Sequence, residues 1–135
     1  MTVKLSTLVS SGTSTTTSGA FVVSGSILVN TANPVWTCQV SLSSIGYNRA
    51  PGTGCGLNRV GDVQGADPQL GPLAGNGGTT LTHLPGATSP ALDAIPNGTV
   101  GLCDATVAVD QRGAVRPNGT ACDIGSVERW LGARR

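Results

Sequence analysis

The residues able to do chemistry are few and lie late in the chain. Every Asp and Glu falls from Asp62 onward, and between Met1 and Asn48 the sole charged residue is Lys4. Asp62, Asp67, Asp93, Asp110 and Asp123 all sit among Gly and Pro. In such settings a short carboxylate caps turns and accepts backbone N–H groups. Asp110 and Asp123 also have Arg112 and Arg116 close in sequence. A planar guanidinium suits tying loops together. Cleaving a polysaccharide needs a carboxylate pair, or a base beside Lys, Arg or Ca²⁺, on an exposed face. The first third of the chain holds no acid, so no catalytic residue is assigned and the protein is not read as an enzyme.

Metal chemistry finds equally little. Asp62, Asp67 and nearby carbonyls offer hard oxygen ligands, but their spacing matches neither an EF-hand nor a nonapeptide repeat. His83 is the only histidine and reads as a loop residue bonded to backbone. No metal and no cofactor is expected. The four cysteines, Cys38, Cys55, Cys103 and Cys122, show no C-x-x-C spacing. Of the three possible pairings, sequence locality favours Cys38–Cys55 with Cys103–Cys122, because each pair brackets a loop-rich section. Loops of that size contribute about 3 kcal/mol each. Two staples in a small domain point to an oxidising, extracellular setting.

Two aromatics are candidates for stacking on a sugar. Trp36 follows the Asn33-Pro34 break and also reads as a plug at the edge of the apolar interior. Tyr47 ends the segment Ser44-Ile45-Gly46-Tyr47-Asn48, a strand running into a turn. Asn97-Gly98-Thr99 and Asn118-Gly119-Thr120 match the glycosylation acceptor pattern but read as Asn-Gly turns.

The elements that position these residues must be short strands. Gly is 20 of 135 residues, aromatics are 3% and charges 11%, which suits an all-β protein with many turns. A net charge of +1 gives no basis for nucleic-acid binding, and Arg129, Arg134 and Arg135 read as a solvated tail. No apolar run approaches the ~20 residues that span a bilayer. Met1 to Gly12 lacks the apolar core of a secretory signal, which leaves a processed chain or a segment of a longer one. Val3 and Leu5, Leu8-Val9, Phe21-Val22-Val23, Ile27-Leu28-Val29 and Val40-x-Leu42 are clusters of β-formers too short for helices. The Ser/Thr run Thr13–Ser18 reads as a strand and turn. Ser6–Ser10 aligns with Ser26–Asn30 at an offset of 20 residues, about one coil of a parallel β-solenoid; a Greek-key sandwich is the alternative. Gly61–Gly78 is a run of turns with Val63, Leu70 and Leu73 as spaced anchors, a covering loop.

A family resemblance rests on motifs in order. They are Ser44–Asn48, Cys55-Gly56-Leu57, G-D-V-Q-G-A-D-P-Q-L-G-P-L at Gly61–Leu73 and Asn76-Gly77-Gly78. T-H-L-P-G-A-T-S-P-A-L-D at Thr82–Asp93, Asp110–Gly113, Arg116-Pro117 and Ala121–Gly125 follow. Over Ser26 to Glu128 the chain resembles the C-terminal part of bacterial choice-of-anchor Q domain proteins, which overlap with right-handed parallel β-helix surface proteins. The resemblance implies a parallel β-helix closed by residues 61–128, secretion, and a cell-surface setting. It carries over no catalytic residue. Members commonly have more coils before this segment and an anchor after it.

The expected protein is therefore all-β, a right-handed parallel β-helix with a loop-rich, disulfide-stapled C-terminal cap. Residues 1–60 form coils, 61–128 the final coil and cap, and 129–135 a tail. Met1 to Leu8 offers a bare strand edge, so a homo-oligomer or filament by β-edge stacking is the expected partner state. The leading function is an extracellular scaffold or adhesion block. Alternatives are a carbohydrate-binding module and a piece of a larger polysaccharide-active protein.

Overall fold

The computed structural model describes residues 1–10, 21–32, 38 and 42–130. Trp36, Val40, the Thr13–Ser18 run and the Arg134-Arg135 end lie outside them. The first strands are β1 (Thr2–Lys4), β2 (Thr7–Ser10), β3 (Val22–Ser24), β4 (Ile27–Asn30), β5 (Ser43–Gly46), β6 (Arg49–Ala50) and β7 (Val63–Gln64). They form two parallel sheets, ordered β1-β3-β5 and β2-β4-β6-β7. Val3 lies beside Val23 and Leu8 beside Leu28, 20 residues apart in each case.

The offset does not persist. Val22 pairs with Ser43, Ile27 with Arg49, and Arg49 with Val63, so successive spacings are 21, 22 and 14 residues. Beyond β7 the pairing reverses direction. β8 (Leu70–Ala74) and β9 (Thr82–Pro85) form an antiparallel pair, as do β10 (Ile95–Pro96) and β11 (Ala121–Cys122). Pro72 is tolerated in β8 because a two-stranded sheet leaves each strand one free edge. Small mixed sheets of two to four strands overturn the parallel β-helix expected from the sequence. The physical reason is the Gly61–Gly78 run. Val63 is 38% and Leu73 56% exposed, so two of its three supposed anchors bury too little to continue a stack, and only Leu70 packs against core.

Two cores share one strand. The first holds Val3, Val23, Leu28, Leu42, Ala50 and Leu57 around Cys38 and Cys55. The second holds Ile27, Ala91, Ile95, Leu102 and Ile124 around Cys103 and Cys122. β4 supplies both, because side chains alternate along a strand: Leu28 enters the first, Ile27 and Val29 the second. The unbroken Ile-Leu-Val run is thus a strand covered on both faces. The disulfides are Cys38–Cys55 and Cys103–Cys122, one per core, across 17 and 19 residues.

A polar ladder runs along the corner between the parallel sheets. The Ser6 N–H donates to Ser26 Oγ (3.2 Å), the Ser26 N–H to Asn48 Oδ1 (3.0 Å), and the Asn48 N–H to Asp62 Oδ1 (2.9 Å). Asn48, fully buried, also donates from Nδ2 to Val23 O, Ser44 Oγ and Asp62 Oδ1. Gly61 closes this corner at φ +75°, where an added Cβ would stand 2.2 Å from the Tyr47 ring.

Candidate functional site

The first and second strands are the edges of their sheets: β1 pairs only with β3 and β2 only with β4 among the described residues. Hydrogen bonds along a parallel strand alternate sides. The Val22 N–H donates to Met1 O and the Leu5 N–H to Ser24 O, so the backbone groups of Thr2 and Lys4 point outward. The Ile27 N–H donates to Ser6 O and the Thr31 N–H to Ser10 O, which turns those of Thr7 and Val9 outward. All four side chains of β2 are only half-buried. A cleft of about 490 Å³ runs along Leu5–Leu8, walled opposite by Val109, Gln111 and Ser126. The Ser126 N–H and Oγ both bond to Thr7 Oγ1 (3.1 and 3.2 Å), fixing the C-terminal loop against the corner.

Behind that wall lies a buried charge cluster. Asp110, its side chain fully buried, takes Arg112 Nε and Nη2 on one oxygen (3.0 and 2.8 Å) and backbone N–H groups from Arg112, Ala114 and Glu128. Arg112 also donates to Asn76 O and Glu128 O. Arg116 faces Glu128 at 3.2 Å, each side chain 1% exposed, and donates to the main-chain oxygens of Asp123 and Gly125. Asp123 accepts the Asp93 and Arg129 N–H groups, both at 2.7 Å. Glu128 accepts those of Asp123 (2.8 Å) and Asn118 (3.2 Å).

These environments pull the acids apart. Burial pushes Glu128 up to about 7, against Arg116 and with help from the neighbouring Asp123 charge. Burial likewise raises Asp123, against the N–H groups it accepts. Burial also works to raise Asp110, but the Glu128 N–H, the Arg112 side chain and two further N–H groups outweigh it and hold Asp110 low. Burial lowers Arg116 despite Glu128, Asp123 and Asp110 around it.

The remaining residues singled out from the sequence have structural surroundings. Asp62 ties Asn48, Ser44 and Arg59, and Asp67 closes a turn on the Gln69 N–H (2.8 Å). The two belong to separate hydrogen-bond sets. His83 Nδ1 lies 2.8 Å from Gly71 O. Tyr47, half-buried, packs against the second core and lies over Gly61. Of the two expected Arg–Asp pairs, Arg112 does meet the Asp110 carboxylate, whereas Arg116 meets Asp123 through its main chain and takes Glu128 as its ionic partner.

Sequence reasoning missed Glu128, Asn48 and Trp130. Glu128 lies between Val127 and Arg129 with no turn signal beside it, and Asn48 looks like any residue leaving a strand. Trp130 did carry a signal: it is one of only four aromatic residues, and it stands 62% exposed at the rim of a second cleft, of about 630 Å³. No group of three His, Cys, Asp or Glu able to hold a metal occurs among the described residues. Nor does any described helix have the length and apolarity to cross a membrane. Compared with family models, curated proteins and solved structures, the chain finds no match.

Proposed function

We propose that the protein is an extracellular structural module that joins a second copy of itself through the β1–β2 edge. The observation that supports it is the row of backbone groups at Thr2, Lys4, Thr7 and Val9 that meets no strand among the described residues, the Lys4 carbonyl accepting only Ser6 Oγ (2.9 Å), with Lys4 as its charged side chain. Unpaired edges of this kind are templates for another strand, and natural proteins usually blunt them with charge, Pro or a covering segment. The two disulfides support an oxidising compartment, since such bonds persist outside the reducing cytosol.

Light scattering on the eluting protein tests it. Association is expected at protein concentrations of about 10 μM, a modest affinity for one added strand. Val9→Pro removes an outward N–H without touching the ladder to β4, and should shift the population to monomer. Lys4→Val should strengthen association. A wild-type chain that stays monomeric at about 1 mM would sink the idea.

A further inference from the structure

The Trp130 cleft lies apart from the strand edge. It is lined by Trp130, Val115 and Pro117 together with Asp93, Asn118 and Thr120. Trp130 is 62% and Val115 66% exposed, so the cleft offers an indole face and an aliphatic neighbour to solvent. Its volume of about 630 Å³ falls inside the range of small-molecule clefts.

The loop that carries it is braced from below. The Asn118 N–H donates to Glu128 Oε2 (3.2 Å), and the residue lines the cleft. Arg116, one residue before Pro117, is pinned to Glu128 and to the oxygens of Asp123 and Gly125. Cys122, two residues beyond Thr120, is held by its disulfide and by the pairing of β11 with β10. A braced site avoids the ordering cost that a loose loop would impose on binding.

We propose that this cleft binds a neutral saccharide. A pyranose has an apolar C–H face, which suits the indole of Trp130, and a rim of hydroxyls, which suits a carboxylate, a carboxamide and a hydroxyl. Asp93, Asn118 and Thr120 supply one of each. Among the described residues the lining holds one carboxylate and no cation, so a sugar without charge suits it better than an acidic one. Neutrality of the ligand follows from that lining, and stacking follows from the exposed ring. This site is independent of strand-edge association.

The test uses the whole chain with both disulfides intact. Neutral hexamers of glucose, galactose, mannose, xylose and N-acetylglucosamine are titrated separately, with hexagalacturonate as the acidic counterpart. Indole N–H resonances are followed by NMR, the Trp130 signal being assigned from Trp130→Phe. At least one neutral hexamer should move the Trp130 resonance, with a Kd near about 1 mM. Trp130→Ala should weaken that binding by about tenfold or more, and Asn118→Ala by about threefold, at unchanged melting temperature. Trp130→Phe should keep part of the affinity. No shift from any neutral hexamer at about 10 mM overturns the proposal. So does binding that survives Trp130→Ala, or a preference for hexagalacturonate.

Discussion

Neutralising Glu128 should make the protein more stable, not less, as the pH falls from 7 toward 4.5. Its carboxyl is buried and pushed up from 4.5 to about 7 in the folded chain. A folded pKa above the unfolded one means that the native state holds the proton more tightly. That contribution is fully present below pH 4.5 and is lost as the pH rises through 7. At roughly 1.4 kcal/mol per pH unit, the window is worth about 3 kcal/mol. That is a large share of the ~5–15 kcal/mol that holds small domains folded. Asp123, also raised by burial, acts in the same direction. Asp110 acts oppositely, since its folded pKa is depressed, but its loss begins only below the ordinary carboxylate range. The assay is urea unfolding followed by circular dichroism, with disulfides oxidised, at pH 5.0 and 7.5. Wild type should show the higher midpoint at pH 5.0, and Glu128→Gln, which mimics the protonated acid, should flatten the difference. A wild-type midpoint equal at both pH values, or a Glu128→Gln variant with the same slope, would refute the reasoning. Glu128→Ala leaves both the Asn118 and the Asp123 N–H groups without a partner, whereas Glu128→Gln keeps one acceptor oxygen, so Glu128→Ala should be the less stable of the two at both pH values.

Two further changes probe the corner ladder. Asn48→Ala removes bonds to Ser26, Val23, Ser44 and Asp62 inside the protein, and should cost about 3 kcal/mol in the same unfolding assay. A cost within experimental error of zero would show that the ladder carries no stability. Gly61→Ala meets both a φ of +75° and a ring carbon at 2.2 Å, whereas Gly65→Ala meets a φ of +82° and open space. Gly65→Ala should therefore lose only the left-handed strain of about 1–2 kcal/mol, and Gly61→Ala clearly more. Equal losses would mean that the Tyr47 ring moves aside freely.

What the sequence made legible was local, and what it hid was non-local. Short clusters such as Phe21-Val22-Val23 and Ile27-Leu28-Val29 announced strands, because two or three β-formers between turns have few other uses. Aligning Leu8 with Leu28 even found a true neighbour pair. Extending that offset to a whole β-helix failed, because pairing direction depends on what each strand can bury. Leu70–Ala74 has Leu73 exposed and Pro72 without a donor, and among the described residues it pairs at one edge, with the antiparallel β9. Asp67 announced its turn, and Asp110 its turn and its Arg112 partner, through spacings of two residues that are visible in the chain. Glu128 takes its partner Arg116 from twelve residues back, and no local pattern marks such a contact.

Among the described residues, the position of the edge at β2 follows from the two-core plan. β4 has apolar residues on both faces, and each face is completed by a different disulfide-bearing cluster. β2, its outer neighbour, repeats the pattern incompletely: Leu8 packs partly on the first core, and Leu5, just before the strand, partly on the second. Both cores therefore thin out toward the same boundary. A strand added there would gain backbone bonds at Thr7 and Val9 and would also bury apolar surface on each face, at roughly 25 cal/mol per Å². Hydrogen bonding alone rarely holds two folded chains together, because water competes for the same groups. Here the polar and apolar terms point to one line on the molecule, and substitution at Val9 separates them: Val9→Pro removes the N–H, while Val9→Thr keeps the backbone and removes apolar surface.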